Sequence, residues 1–156
     1  MLDADIKKSI EASVLCWLAT ATPDGNPNVS PKEMFVHYGE DAVIIANIAS
    51  PRSVANIKSS SSVCVSFIDV FKQKGFKLTG KATIVEKDDA EFEPLLNELH
   101  KLGGENFPVR SIIKVAVEEA EPIVAPSYWL FPGTTEQSQI EQAMETYGVR
   151  PKIRRV

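Results

Sequence analysis

Cysteine is scarce in this sequence and has no partner pattern. Cys16 and Cys64 are the only two, each inside an apolar segment and neither in a CxxC or metal-ligand spacing. They read as reduced core residues, not as a disulfide frame or a zinc site. Long apolar runs are missing too. Ala42–Ala46 and Ile112–Val117, the second interrupted by Lys114, fall far short of the roughly 20 residues a membrane helix needs. Met1 is followed by Asp3, Asp5, Lys7 and Lys8 with no apolar stretch behind a basic one, so no secretory leader is read and the expected address is cytoplasmic. Positive charge is not in excess: 17 Lys and Arg face 21 Asp and Glu, a net charge of −4. That balance argues against nucleic acid as the partner, which calls for a basic field. The two histidines, His37 and His100, stand alone. With no serine elbow, HExxH, EF-hand loop, P-loop or dinucleotide glycine fingerprint, the sequence excludes the common triads, metal centres and nucleotide folds. What remains is ordinary globular usage, 44% hydrophobic and 24% charged over 156 residues, enough for one domain over 1–156 with its own core.

The patterning predicts a mainly β protein. Asp3 caps a short helix to Ser13 with Ile6 and Ile10 on one face. Val14–Ala21 is apolar and β-prone, and Thr22-Pro-Asp-Gly-Asn-Pro27 concentrates turn formers. Asn28–Tyr38 then reads as a second strand and Ala42–Ile48 as a third. A short helix follows from Ser50, with Pro51 at its first position. Val63–Phe71 and Phe76–Val85 make two more strands, with a bend or bulge at Gly80. Asp88–Leu102 carries a helical stripe closed by Gly103 and Gly104. Ile112–Val124 is the last strand, and Glu136–Tyr147 is a polar terminal helix closed by Gly148. Six antiparallel strands with helices filling the gaps point to a small barrel, whose closure removes exposed edges; a sandwich is the alternative. Trp17 is expected in the core.

Chemistry concentrates at Ala46-Asn-Ile-Ala-Ser-Pro-Arg-Ser-Val-Ala-Asn-Ile57, a strand end feeding a helix whose first turn holds Ser50, Arg52 and Ser53. Free amides at a helix start favour anions, hydroxyls add hydrogen bonds, and a guanidinium adds paired charge-assisted donors. The block therefore reads either as a phosphate cradle or as an ordinary serine cap beside a solvated arginine. Lys32 and Lys77 are two further cations that a barrel can bring to the same region.

Four ordered blocks resemble one family. Cys16-Trp-Leu-Ala-Thr20, Asp24-Gly-Asn-Pro-Asn-Val-Ser-Pro-Lys32, Ser50-Pro-Arg-Ser-Val-Ala-Asn-Ile57 and Gly75-Phe-Lys-Leu-Thr-Gly-Lys-Ala82 are similar to pyridoxamine 5′-phosphate oxidase-like proteins with the FMN-binding split barrel. Ala143-Met-Glu-Thr-Tyr-Gly-Val-Arg-Pro151 also resembles the terminal helix of the small flavin-nucleotide-binding members. The resemblance implies a six-stranded antiparallel split barrel, bound FMN, and a homodimer with FMN in two clefts at the subunit interface. It places Ser50, Arg52 and Ser53 in the phosphate-binding block and Lys77 at a supplementary basic position. It sets Val29, Ser30, Pro31 and Lys32 along the flavin ring and ribityl chain, Ala46 and Asn47 beneath the cofactor, and Asn56 as a brace. Glu33 departs from the glycine frequent after the Ser-Pro-Lys stretch and would crowd the space above the ring. Of Tyr128, Trp129 and Phe131, Trp129 is taken as a site residue, with core or interface packing as the other reading. The implied activity is an FMN-dependent oxidoreductase acting on a small substrate, with a nicotinamide nucleotide as a donor candidate. A non-catalytic flavin-binding carrier or sensor is the alternative, and a deazaflavin in place of FMN stays open. Oxidation of pyridoxamine phosphate itself is not expected, because Tyr128-Trp-Leu-Phe-Pro-Gly133 stands where that activity calls for an arginine-rich block.

Overall fold

The segment expected as one strand from Asn28 to Tyr38 breaks after Lys32, and this break organises the molecule. In the computed structural model, which describes residues 1–152, the elements run α1 (Ala4–Ala12), β1 (Cys16–Ala21), β2 (Pro27–Lys32), β3 (Phe35–Tyr38), β4 (Ala42–Asn47), α2 (Pro51–Ser59), β5 (Ser62–Asp69), β6 (Lys74–Val85), α3 (Phe92–His100), β7 (Ser111–Val124), α4 (Ser127–Leu130) and α5 (Glu136–Tyr147). Residues 153–156 of the expected domain lie outside the described residues. The sheet has seven strands, not six, in the order β2-β1-β5-β6-β7-β4-β3, every pair antiparallel. β2 and β3 thus lie at opposite ends of the sheet order although only Glu33 and Met34 separate them in sequence. A flat sheet cannot satisfy both facts, so it curls until its two edges approach each other, as a split barrel does.

Two apolar clusters hold this curl. One fills the concave side with Leu18, Val65, Phe67, Leu78, Ile113 and Val115, and α1 plugs it with Ile6 and Ile10. The other lies behind β4 and β7, where Ile44, Ala46 and Ile112 meet Phe92, Leu95 and Leu99 of α3. β4 is consequently buried at all six positions, which is why its sequence is a continuous apolar run and not an alternation. β6 bends at Gly80, where the register against β7 shifts between Thr79 and Gly80. A Cβ at Gly80 would stand 2.0 Å from the Ala116 carbonyl oxygen, so only glycine permits this close approach.

The helix ends differ from one another. Asp3 Oδ1 accepts a hydrogen bond from the Ile6 amide at 2.8 Å, as its sequence position suggests. α3 is shorter than the stripe of leucines implies, and the chain leaves it through Gly103 and Gly104 at φ of 91° and 78°. Trp17 is a correction to the expected core. Strand alternation turns Cys16 and Leu18 inward and leaves Trp17 on the convex face, 46% exposed. No helix among the described residues is long and apolar enough to cross a membrane.

Candidate functional site

The two sheet edges meet beside a cavity of about 270 Å³ lined by Pro31 to Met34 of the β2–β3 break, Ala46 and Ile48 to Ser50 at the end of β4, and Phe107. Its polar end is built around Lys32. This side chain belongs to the inward row of β2, and the residue is only 8% exposed. Its ammonium donates to the Ser50 hydroxyl and, at 3.4 Å, to the Pro31 carbonyl. No carboxylate neutralises it among the described residues. Burial holds the Lys32 pKa below the usual lysine value, with the nearby Cys16 thiol opposing weakly, while burial of Cys16 itself pushes that thiol up to about 12. A buried cation supported only by neutral acceptors has the chemistry to receive an anion, because pairing is what normally offsets its desolvation.

Ser50 occupies the N-cap position of α2, yet its side chain makes no cap hydrogen bond. Lys32 has taken the hydroxyl, and the Ser50 amide donates to Asn47 Oδ1 at 3.1 Å. Pro51 has no N–H, so the amides of Arg52 and Ser53 open the helix without intrahelical acceptors. Arg52 is exposed at that first turn. The reading of Ser50 as a simple cap therefore fails, and the donors gathered here have the chemistry that a phosphate cradle requires.

Ser53 is different: it is 1% exposed, its hydroxyl 3.0 Å from that of Ser30 and accepting from Asn28 Nδ2 at 3.3 Å. It stitches α2 to β2. Asn56, also buried, donates to Thr20 Oγ1 at 3.0 Å and braces the same helix on β1. Asn47 joins three segments, since Nδ2 donates to Ser111 Oγ at 2.9 Å and its carbonyl accepts from the Arg110 amide at 2.8 Å. Neither the Asn28–Ser30–Ser53 seam nor the Arg110 anchor is visible in sequence spacing, because each joins residues far apart in the chain. A polar inward face on β2 at Asn28, Ser30 and Lys32 is the one signal available for the seam.

The expected site residues fall into three places. Ser30, Lys32, Ala46, Asn47, Ser50, Arg52, Ser53 and Asn56 gather at the corner where β2, β4 and α2 meet. Val29 and Lys77 are on the opposite, convex face of the sheet; Pro31 belongs to the same outward row yet, at the end of β2, still lines the cavity: Pro31 pairs with Trp17, Trp17 with Ser66 and Ser66 with Lys77 in one row across four strands. Lys77 Nζ lies 3.1 Å from Glu121. A single chain thus does not bring Lys77 to the Ser50 corner; residue parity on β6 sends it to the other side. Trp129 sits in α4 beyond the far end of β7, whose near end carries the Asn47–Ser111 pair. It is 64% exposed, while the neighbouring Tyr128 donates to the Lys72 carbonyl at 2.7 Å and lies under the Lys74 ammonium. His37 contacts Glu11 at 3.2 Å on the surface, in line with a structural role.

Solved structures share this architecture. HupZ of Group A Streptococcus superposes with a TM-score of 0.65 at 21% identity over 77% of this chain and 92% of its own. An FMN-binding protein from Syntrophomonas wolfei gives 0.65 at 17% identity over 77% and 84%, and the heme storage protein HutZ from Vibrio cholerae gives 0.61 at 23% over 79% and 94%. These likenesses establish the fold. No curated protein matches the chain. The model of the pyridoxamine 5′-phosphate oxidase family matches residues 2–123, a span that takes in the sheet from β1 almost to the end of β7 and the whole Ser50 corner. The chain belongs to the pyridoxamine 5′-phosphate oxidase family.

Proposed function

We propose that this protein is a homodimeric FMN-binding protein acting as an FMN-dependent oxidoreductase on a small substrate. The observation that carries the reading is the buried, carboxylate-free Lys32 donating to Ser50 at the uncapped start of α2. That corner suits a phosphate, with Arg52 and the first amides of α2 supplying donors and Ser53, Asn56 and Asn47 fixing their positions. The chain's own part is to bind, orient and shield; FMN, when bound, supplies the redox chemistry, which fits a site without an acid–base pair. Catalysis and simple electron carriage share this geometry, so turnover with a nicotinamide nucleotide decides between them. Reduction of the bound flavin within seconds supports the enzyme, and none over hours supports the carrier.

Two features support a second copy. The cavity of about 270 Å³ lies just under the roughly 300–1,000 Å³ of sites that enclose a whole small molecule. Val14, Trp17, Val29, Ile68 and Val70 also leave an apolar tract on and around the convex face, of the kind that marks association surfaces. The free thiols Cys16 and Cys64 suit a reducing, cytoplasmic setting.

The deciding experiment compares FMN with riboflavin, which lacks the phosphate. Arg52→Ala weakens FMN binding by roughly ten- to a hundredfold, the loss of one charge-assisted hydrogen bond, and leaves riboflavin nearly unchanged. Equal loss of both ligands removes Arg52 from the phosphate site. Sedimentation of the FMN-loaded protein as a monomer removes the interface model.

A further inference from the structure

The apolar end of the cavity holds a residue that the flavin reading does not use. Phe107 lies in the α3–β7 connection and is 58% exposed, although it lines the cavity along with Lys32 and Ser50. It belongs to neither apolar cluster. The connection is nonetheless fixed. The Phe107 amide donates to the Gly104 carbonyl at 2.9 Å, and two residues further on Val109 is buried and the Arg110 amide is held by Asn47. Gly104 has a φ of 78°, and a Cβ there would fall 3.1 Å from Met34 Sδ and 3.4 Å from the Phe107 ring. The ring is therefore seated against the Gly104 backbone beside the Met34 thioether. An exposed aromatic at a cavity wall, on a backbone tied down on both sides and with its ring against Gly104, presents a surface suited to a flat partner.

We propose that Phe107, backed by Met34 and Gly104, is the wall of this cavity against which the planar ring of its ligand lies. The Lys32–Ser50 end takes the anion and Phe107 takes the face of the ring. Glu33 on the rim repels a second anionic substituent there, so a single-anion ring is selected. This rests on the reading of the Ser50 corner as the anion site, and for FMN it makes Phe107 a contact of the isoalloxazine face.

Titration of wild type, Phe107→Ala, Phe107→Tyr and Arg52→Ala with FMN and riboflavin tests it, with thermal melts as the folding control. Phe107→Ala weakens both flavins by the same factor, about three- to tenfold for one lost aromatic contact. Phe107→Tyr restores both, whereas Arg52→Ala discriminates between them. Unchanged binding of both flavins to Phe107→Ala overturns the proposal and leaves the FMN reading intact. If wild type binds neither flavin, the FMN reading falls, and pyridoxal 5′-phosphate becomes the probe. Binding of that ring, lost in Phe107→Ala, upholds the wall. Binding that is absent, or equal in the two proteins, overturns it.

Discussion

The helices α2 and α5 both begin at a hydroxyl residue, and the two hydroxyls do opposite things. Thr135 caps α5: its side chain accepts from the Ser138 amide at 3.1 Å while Ser138 Oγ accepts from the Thr135 amide at 3.0 Å, so two orphan donors are satisfied reciprocally. Ser50 gives its hydroxyl to Lys32 and leaves the first amides of α2 open. α5 also carries an acid, Glu136, in its first turn, whereas the first turn of α2 carries Arg52 and no acid. A cation at a helix start is the unfavourable sign for the macrodipole. One start is built for stability; the other forgoes that stability and leaves its donors open, and under the proposed function an anion completes it.

The largest expected effect comes from removing the cation that diverts Ser50. Lys32→Met weakens FMN binding by roughly ten- to a hundredfold, the range for a lost charge-assisted contact. It also raises the melting temperature of the ligand-free protein, since a buried unpaired charge gives way to an apolar side chain of similar length. The linkage has a definite sign. Burial lowers the folded-state pKa of Lys32, so between that value and the ordinary lysine value the folded chain binds fewer protons than the unfolded one. Stability therefore rises with pH through that window. Lys32→Met abolishes this rise. A variant that melts lower than wild type without ligand would show that Lys32 holds the fold, and the contrast between the two helices would lose its explanation.

That contrast is only half legible in the sequence. Asp3, Pro51 and Gly148 mark their helix ends through local chemistry, and α5 spans the expected Glu136–Tyr147. Ser50 is local chemistry too, but its partner lies 18 residues earlier on another strand, and no periodicity reports where a lysine ammonium will end up. The same limit explains the strand count. Asn28–Tyr38 is continuously compatible with extended backbone, and only the need to place its halves at opposite sheet edges reveals the break at Glu33. Lys77 illustrates parity: its basic character is evident, but the face it takes depends on a β6 register that pairs it with Ser66 and Glu121. Trp17 departs from the core because an apolar strand suggests two buried faces where β1 has one.

Hydroxyl deletion sharpens the comparison at intermediate size. Thr135→Ala destabilises the protein by about 1 kcal/mol, the usual cost of a lost N-cap. Ser50→Ala removes no cap bond but strips the buried Lys32 ammonium of an acceptor, so its cost to ligand-free stability, about 1 kcal/mol, disappears in a Lys32→Met background, while FMN binding weakens because Lys32 loses the acceptor that positions it. Denaturant midpoints at constant slope read the first, and flavin titration reads the second. Equal destabilisation by Ser50→Ala with and without Lys32→Met would mean that Ser50 caps α2 in solution after all.

The smallest effect belongs to Glu136, whose carboxylate is 2.9 Å from Lys74 Nζ and 3.7 Å from Lys72 Nζ. The hydrogen bond from Lys74, then its charge, holds the Glu136 pKa below the usual carboxylate value. Its contribution is thus present above the unfolded-state pKa and is lost as pH falls through the lower folded-state value. Because all three side chains are substantially exposed, solvent and salt screen the interaction, and Glu136→Gln costs no more than about 0.5 kcal/mol at neutral pH. Wild type and variant converge in stability at acid pH, and the gap also narrows as salt is raised. Arg52 provides the mirror test at the other helix. Arg52→Gln relieves the wrong-sign charge at the start of α2, so ligand-free stability rises by a few tenths of a kcal/mol, and salt shrinks that gain as it shrinks the loss at Glu136. Opposite signs at the two helix starts, both fading with ionic strength, are what separates a helix start finished by its own side chains from one that waits for an anion.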